Sequence, residues 1–436
     1  MIEFDDALER ILGQSYAENF FSDGRKNRSE SDLTTHLSQG DISAKNAQGL
    51  RGGAVGALER VSVEDAVGRV LQADIRAQAP LPAQDYSAMD GYALAAGPRE
   101  QERLRVEGVA QTGHPEERLV AGTAMRIFTG AKIPEGANAV IIQEEVERDG
   151  DWVILQKNVA EGENIRRAGE DLEKGELALP KGSRLGAYHL ALLSSLECTQ
   201  VLVAARPKVS IYCTGDELRY PGEVGRGGLA ENNSLAIAAL ARSAGAEVRI
   251  GQLVEDELET TLHALEEGLQ DSDVVVTVGG ASVGDHDLIR PALQSLGAEW
   301  VFEKVKMKPG KPVMLAKVPG RSAGSFRYVM GVPGNPTSAL LTFSLLGLPL
   351  LRRLQGDAEP AAVASRARLV EPLARRAGRR TFYRGRVQGD DVMVFANQSS
   401  GASTALAWAN ALVDIPAEQG DLEEGAWVRV LKFAEM

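Results

Sequence analysis

The clearest hydrophobic pattern in the chain lies between residues 207 and 297, where short apolar runs alternate with segments of helical periodicity. The runs KVSIYCTG, EVRIGQLV and DVVVTVGG are each followed by apolar residues at helical spacing. Apolar strands that alternate with helices indicate a parallel sheet covered on both faces. We therefore predict a central three-layer α/β domain over residues 206–357, with ligands bound outside the carboxyl ends of its strands.

Shorter alternating runs flank this domain on both sides. Residues 85–164 alternate with the period of strands, and Asp149 and Gly150 stand where a two-residue hairpin turn is expected. Runs such as DVMVFA and AWVRVL indicate a small β-barrel or sandwich over residues 358–436. The chain thus predicts a small inserted β domain and a C-terminal β-barrel domain in addition to the α/β domain.

Helical spacing returns in the segments before and after the inserted β domain. One predicted helix lies near Phe4 and Leu12, a second lies in SVEDAVGRVL with Ser62 as its N-cap, and a third lies near residues 186–200. We predict that residues 1–84 and 165–205 pack as one discontinuous helical domain. Residues 15–56 are polar and rich in Gly, Ser and Asn, which indicates a mobile insertion.

Composition narrows the class of protein. The net charge of -13 argues against nucleic acid as the main partner. The two cysteines are too few for a disulfide framework and fit a reducing cytoplasm. The most apolar run, ALLTFSLLGLPLLRRL, is too short to span a bilayer, and MIEFDDALERIL lacks the features of a signal peptide. We therefore expect a cytoplasmic protein without a membrane partner.

Two turns follow strands of the predicted α/β sheet and carry candidate chemistry. TGDEL (214–218) follows the first strand, and GGASVGDHD (279–287) follows the third. Glycines at 279, 280 and 284 allow backbone amides to approach an anion, while Asp285 stands where a P-loop has lysine, which excludes that motif. The acids at 216, 217, 285 and 287 suit Mg²⁺ held together with phosphates, although Asp216 and Asp285 could instead cap helices.

A third turn and a lysine-rich segment belong to the same domain. In GVPGNPTSALL, Pro333 and Pro336 make the backbone rigid immediately before an apolar helix. In EKVKMKPGKPVML, an extended chain places Lys304, Lys306 and Lys308 on one face and turns the residues between them into the core. Such a face is either a solvated edge strand or an oxyanion site, because converging ammonium groups repel one another unless an anion separates them.

Seven motifs together resemble one known family. In family order they are DYSAMDGYAL, IFTGAKIPEGANAVI, NIRRAGED, TGDEL, VVVTVGGASVGDHD, KMKPGKP and GVPGNPTSA. They are similar to the molybdopterin molybdenumtransferase family, which also includes the C-terminal part of gephyrin. The resemblance covers nearly the whole chain except residues 15–56.

The resemblance implies insertion of molybdate into the dithiolene of adenylylated molybdopterin, with release of AMP and with Mg²⁺. It implies a homodimer whose small β domain completes the partner's site, and a possible contact with the molybdopterin adenylyltransferase. The implied catalytic residues are Asp85, Thr129, Asp171, Glu217, Lys304 and Lys308, with the two lysines receiving molybdate. The implied substrate-binding residues are Arg166, Thr214, Gly215, Asp216, Gly279, Gly280, Ser282, Gly284, Pro333 and Pro336, and the implied Mg²⁺ ligands are Glu217 and Asp287.

The chain departs from the family pattern at a few positions. The third consecutive arginine of the family is Ala168 here, the serine before the double glycine is Val278, and Glu231 replaces a more usual aspartate. A non-catalytic, gephyrin-like binding scaffold is the alternative function. Both lysines and the acidic set are present, which favours an enzyme, since a scaffold has no need of them.

Overall fold

A computed structural model describes residues 1–13, 57–97, 100–114, 118–223, 228–280, 288–320 and 325–436. The insertion predicted at residues 15–56 lies outside the described residues. The α-helices of the described residues are α1 Phe4–Leu12, α2 Ala187–Ser195, α3 Asn233–Ser243, α4 Leu258–Asp271, α5 Ile289–Ser295, α6 Pro336–Thr342, α7 Leu348–Leu354 and α8 Ser403–Trp408.

The strands are short, as expected for a chain of several small sheets. They are β1 Leu58–Ser62, β2 Ile75–Arg76, β3 Tyr86–Ser87, β4 Gly91–Leu94, β5 Arg103–Ala110, β6 Thr123–Ile127, β7 Ala139–Ile142, β8 Val146–Asp149, β9 Trp152–Leu155, β10 Ile165–Arg166, β11 Leu177–Leu179, β12 Gln200–Ala204, β13 Lys208–Cys213, β14 Leu218–Arg219, β15 Leu229–Ala230, β16 Glu247–Ile250, β17 Val274–Val278, β18 Glu299–Glu303, β19 Met307–Lys308, β20 Met314–Pro319, β21 Phe326–Val332, β22 Ala364–Leu369, β23 Arg380–Gln388, β24 Asp391–Val394, β25 Ala411–Ile415 and β26 Trp427–Lys432.

The α/β domain contains a six-stranded sheet in the order β16-β13-β17-β21-β20-β18. The first four strands are parallel, as predicted, whereas β20 and β18 are antiparallel to their neighbours. On one face Ile211 packs with Ile237 of α3, and on the other Val275 packs with Leu265 of α4. Both faces are therefore covered, which explains why the central strand β17 is apolar at four of its five positions.

The N-terminal helix α1 packs against the α/β domain. Leu8 and Ile11 are buried in the same core as Leu350 of α7 and Val332 of β21. The sequence analysis placed this helix in the discontinuous domain, but the apolar face of α1 covers the α/β core instead.

The segments on either side of the small β domain pair with each other through β1 with β12, β2 with β11, and β3 with β10. Helix α2 belongs to this unit, but the helix predicted in SVEDAVGRVL is wrong. Ser62 ends β1, its hydroxyl donates to Asp65 at 2.7 Å, and Gly68 has a φ of 76°. The pairing of β1 with β12 and the left-handed conformation of Gly68 are stronger than the helical preference of a segment only ten residues long.

Two further six-stranded sheets and the short parallel pair β14–β15 complete the described fold. The small β domain contains the sheet β7-β4-β6-β5-β9-β8, in which Asp149 pairs with Trp152 around the predicted hairpin turn. In the C-terminal region β23, β24, β22, β26 and β25 close on themselves through a β23–β25 pairing, which confirms the predicted β-barrel. Within the described ranges, no helix has the length and apolar character needed to cross a bilayer.

Candidate active site

Three turns meet at the carboxyl edge of the α/β sheet, after β13, β17 and β21. A Cβ on Gly279 would lie 2.7 Å from the carbonyl oxygen of Thr214, and one on Gly334 would lie 3.7 Å from the Cα of Gly279. The Gly279 amide donates to Val332 at 3.1 Å, and Asn233 donates to the Gly334 carbonyl at 2.9 Å. Close backbone packing therefore requires glycine here, and it leaves the edge open to a ligand.

The antiparallel direction of β20 brings the lysine segment to the same edge. Met314 at the start of β20 pairs with Gly331 near the end of β21, and Glu303 at the end of β18 pairs with Met314. The connection from 304 to 313 must therefore leave and re-enter the sheet beside the turn at Pro333. Local sequence did not predict this placement, because it depends on the direction of one edge strand.

The lysines do not share one strand face. Val305 and Met307 are buried, as predicted, but Lys304 has a φ of 58°, which breaks the extended chain. The short strand β19 begins only at Met307 and pairs in parallel with β23 of the barrel. Lys306 forms an ion pair with Glu3, whereas Lys308 faces a cleft between the α/β domain and the barrel.

This cleft has a volume of about 460 Å³ and is lined from both domains. The α/β domain contributes residues around the lysines and one residue of α6; the barrel contributes the start of β23 and the loop before α8. The lining residues are Met307, Lys308, Pro309, Gly310, Lys311, Pro312, Ser338, Arg379, Thr381, Phe382, Tyr383, Arg384, Gln398, Ser399 and Ser400. We call it the oxyanion cleft because its charged lining residues are all cationic.

Arg384 is the most informative residue of the oxyanion cleft. Its side chain is 1% exposed, and its Nη2 donates to the carbonyls of Asn397 at 3.2 Å and Ser399 at 2.9 Å. Burial lowers the pKa of this guanidinium. Among the described residues Arg384 pairs with no carboxylate, and its Nε has no hydrogen-bond partner. Since a buried cation without a counterion is costly, Arg384 is a candidate partner for an anion.

The positive charge extends beyond this cleft. A second cleft of about 520 Å³ shares Lys308, Arg379 and Tyr383 with the first and adds Arg375 and Arg376. This basic surface produces a positive local potential, which is unusual on a protein with a net charge of -13. It would attract anions specifically to the boundary between the α/β domain and the barrel.

The acidic turn after β13 lies at the same sheet edge. Thr214 forms a parallel bridge with Val254, and the Asp216 carboxylate accepts a hydrogen bond from the Asp256 amide at 2.9 Å. Asp216 and Glu217 are exposed, and the Glu217 carboxylate folds over Gly215. No cluster of three metal-ligating side chains occurs within the residues that the structure describes. Ser282, Gly284 and Asp287 lie outside them.

Glu231, one of the departures from the family pattern, has a structural role. Its buried carboxylate accepts hydrogen bonds from the amides of Asn233 at 2.6 Å and Ser234 at 2.7 Å, from the Ser234 hydroxyl at 2.7 Å, and from the Cys213 thiol at 3.2 Å. Burial opposes ionisation, but these hydrogen bonds outweigh it and lower the pKa of Glu231. The carboxylate therefore caps α3 behind the sheet edge.

The remaining predicted residues gather at the edge of the small β domain. The Asp85 carboxylate accepts from the Ala168 amide at 2.9 Å and pairs with Arg167 at 2.6 Å. The Ala168 hydrogen bond is the main cause that lowers the pKa of Asp85. Because this hydrogen bond comes from the backbone amide, it does not depend on the side chain at position 168. Alanine, which stands here in place of the family's arginine, therefore preserves it. Arg166 is exposed on β10, which pairs with β3, and Asp171 is exposed five residues further along the chain.

Thr129 stands beside this group and is fixed by a residue that the sequence analysis did not single out. Its amide and hydroxyl donate to one Asp90 oxygen at 2.7 and 2.8 Å. The amide bond is the main cause that lowers the pKa of Asp90. In the described part of the chain, no hydrogen bond or ion pair joins Asp85 or Thr129 to Glu217 or Lys308. Asp85 and Thr129 therefore have no direct polar contact with Glu217 or Lys308 in the described part of one chain.

Sequence reasoning missed the barrel wall of the oxyanion cleft. Arg379, Arg384, Gln398 and Ser399 are far from the family motifs along the chain, and Lys311 is not among the residues that the resemblance implies. The density of arginine in RRTFYRGR, within a strand that must bury alternate residues, was the available signal.

Comparison with known proteins identifies the family. The chain matches three family models: "MoeA N-terminal region (domain I and II)" over residues 36–196, "Probable molybdopterin binding domain" over 210–353, and "MoeA C-terminal region (domain IV)" over 366–433. It is 34% identical to a molybdopterin molybdenumtransferase of Haemophilus influenzae, with 86% of this chain and 94% of that protein covered. A relative of the same name from Nostoc is 32% identical, with 86% and 88% covered.

A solved structure agrees with these sequence matches. The molybdopterin biosynthesis moeA protein of Pyrococcus horikoshii superposes with a TM-score of 0.75 at 29% identity, over 86% of this chain and 95% of that one. The family predicted from seven motifs is confirmed over all the domains. The chain belongs to the MoeA family of molybdopterin molybdenumtransferases.

Proposed function

We propose that this enzyme inserts molybdate into the dithiolene of adenylylated molybdopterin and releases AMP. The observation that carries the proposal is Arg384, a buried guanidinium with no carboxylate partner among the described residues, in a cleft also lined by Lys308 and Lys311. Burying an unpaired charge costs several kcal/mol by order of magnitude. A tetrahedral dianion such as molybdate would offset that cost.

The pterin substrate is proposed to lie on the adjoining carboxyl edge of the sheet. There the ligand would meet mainly backbone groups, at Thr214, Gly279 and Gly334. Ser338 of α6 lines the oxyanion cleft and so connects it to this edge. The Thr337 amide also donates to the Ser400 carbonyl at 3.2 Å, so the first turn of α6 is fixed to the barrel loop. This arrangement supports the proposal, because an oxyanion in the cleft would lie close to a ligand on the sheet edge, as metal insertion requires.

Mg²⁺ is proposed to bind at the acidic turn, with Glu217 as one ligand and Asp287 as the other. Glu217 fits this role because its carboxylate is exposed at the sheet edge and accepts no hydrogen bond within the described ranges. Mg²⁺ commonly uses one or two carboxylates together with substrate phosphates, so a complete protein cage is not needed. When bound, the ion would neutralise charge that develops on the departing AMP phosphate.

A homodimer with shared sites is part of the proposal. Six of the nine residues of helix α2 are apolar, yet only Leu193 is buried in the chain, and Tyr188 is 93% exposed. A helix of this kind needs a partner surface. A partner subunit bound there could supply Asp85, Thr129, Arg166 and Asp171, which the single chain leaves apart from the oxyanion cleft.

Two further expectations accompany the proposal. We infer a cytoplasmic enzyme that receives its substrate from the molybdopterin adenylyltransferase, because an adenylylated intermediate is best transferred without long exposure to water. The names of the relatives and the cationic cleft favour catalysis over a non-catalytic scaffold.

The test is AMP release by the purified protein. Adenylylated molybdopterin is mixed with the enzyme, Mg²⁺ and increasing molybdate, and AMP is measured by chromatography. We expect AMP formation that saturates with molybdate and is strongly reduced in Arg384→Met. A correctly folded wild-type protein that releases no AMP under these conditions would show that the proposed reaction is wrong.

A further inference from the structure

The first residues of the chain contact the segment that leads into the α/β wall of the oxyanion cleft. The Ile2 amide donates to the Lys304 carbonyl at 3.0 Å, and the Lys306 amide donates to the Ile2 carbonyl at 2.8 Å. The Glu3 carboxylate also forms an ion pair with the Lys306 side chain. These contacts fix the backbone immediately before Lys308.

The same segment touches the barrel wall three residues later. Asp5 forms an ion pair with Arg380, which is 8% exposed. Arg380 in turn donates to both oxygens of Asp414, at 2.7 and 2.6 Å. Since Arg380 lies between Arg379 and Thr381 in sequence, this network holds the strand that presents the barrel residues to the cleft.

Aromatic packing strengthens this second contact. The guanidinium carbon of Arg380 lies 4.8 Å from the ring centroid of Phe4 and 5.6 Å from that of Phe382. The two rings are 5.0 Å apart in an edge-to-face arrangement. A guanidinium that lies beside two rings in a largely buried site is attracted to both, which restricts its movement.

Close to Lys308 the backbone pairing between the two walls is short, in addition to the shared apolar core and the hydrogen bond from α6 to the barrel loop. Strand β19 has two residues, and its pairing with β23 consists of Met307 opposite Arg380 and Lys308 opposite Thr381. A pairing this short is marginal by itself. The segment Ile2–Asp5 adds a second connection, with one ion pair to each wall.

We propose that residues Ile2–Asp5, the N-terminal clamp, are positioning residues that set the separation between Lys308 and the barrel arginines. The inference rests on the proposed function of the oxyanion cleft. The clamp itself does not touch the cleft. Its effect is to hold the cations where a tetrahedral dianion meets all of them at once, so its loss weakens anion binding more than the chemical step at saturation.

The chain offers a matched control in the same helical turn. Asp6 follows Asp5 in the first turn of α1, is exposed, and forms no ion pair or side-chain hydrogen bond within the described ranges. Asp5→Asn and Asp6→Asn make the same change of charge, and both remove an acid from the N-terminus of α1. Any difference in Kd or Tm between these two variants therefore comes from the contact of Asp5 with Arg380.

The experiment is calorimetric titration of the full-length protein with sodium molybdate alone, together with the Tm of each variant. We expect Asp5→Asn to raise the Kd for molybdate about tenfold. This effect is smaller than the roughly 10²-fold loss of rate that a 1 Å misplacement in an active site can cause. We expect Asp6→Asn to match the wild type and Asp5→Glu, which keeps the charge, to recover much of the affinity. Lys308→Ala is included to test the cleft itself.

Each alternative outcome has a definite meaning. If Asp5→Asn loses Tm but keeps the wild-type Kd while Lys308→Ala binds poorly, the clamp is only structural and the inference is wrong, whereas the cleft stands. If Lys308→Ala binds molybdate like the wild type, the cleft assignment fails and the clamp with it. Should Asp5→Asn not fold, Glu3→Gln gives the same test, because the Glu3 side chain is 48% exposed and tolerant of change.

Discussion

Replacing Lys308 by alanine separates the role of the oxyanion cleft from the stability of the fold. Lys308 ends β19, is exposed, and lines both basic clefts. It forms no ion pair within the residues that the structure describes. Removing its ammonium group therefore breaks no internal pair and opens no cavity, so any loss of activity comes from the missing charge.

The size of the effect follows from simple electrostatics. Two unit charges about 4 Å apart attract by ~4 kcal/mol at an effective dielectric of about 20, the value typical of a pair near a protein surface. Solvent in the open cleft screens part of this attraction. We therefore expect Lys308→Ala to lower kcat/KM for molybdate about 10²-fold, which is the lower end of the range of losses caused by removing one electrostatic donor. A surface substitution changes the free energy of unfolding by only about 0.5 kcal/mol.

The assay is steady-state AMP release at varied molybdate, at low and at high salt. Lys208→Ala is the control, because Lys208 is also exposed but begins β13 at the opposite, amino edge of the sheet. We expect Lys308→Ala to lose activity and part of the salt dependence, while Lys208→Ala changes neither. Equal kcat/KM values for the two variants, with both folded, would refute the placement of the oxyanion.

The remaining predictions concern the shared site and the sheet edge. Asp85→Ala and Lys308→Ala should each be nearly inactive, yet random mixing of the two should restore roughly a quarter of wild-type activity, since half of the dimers then hold one intact site; no recovery after confirmed subunit exchange would exclude a shared site. Glu231→Ala should lower the free energy of unfolding at pH 7 by about 2–4 kcal/mol in urea titrations, because buried amide donors lose their acceptor. As the pKa of Glu231 is lowered from 4.5, this contribution is present above that pH and is lost as the pH falls through the lowered value, so the difference between variant and wild type should shrink in acid. Gly279→Ala should abolish activity and reduce Tm, because its Cβ would lie 2.7 Å from the Thr214 carbonyl at a φ of 94°; a fully active variant would show that the edge is not closely packed.

Local sequence determined most of the α/β domain. The strand Val274–Val278 is apolar at four of its five positions because both faces of the sheet are covered, and this pattern is visible without any tertiary information. The turns after them were also predictable, since glycine at 279 permits a positive φ and proline at 333 fixes φ wherever these residues occur. The same reasoning placed Val305 and Met307 in the core correctly.

Tertiary packing decided which of these residues act together. The alternating pattern put Lys304 beside Lys308, but the chain leaves the sheet at Lys304 in a left-handed conformation, and no local signal marks that change. Helix α1 has the same apolar periodicity whichever domain it covers, so only contact with Leu350 shows its true neighbour. Arg384 is buried because the C-terminal strands close into a barrel against the lysine segment. Closure depends on pairings between residues distant in the chain, and periodicity, which compares near neighbours, carries no information about them.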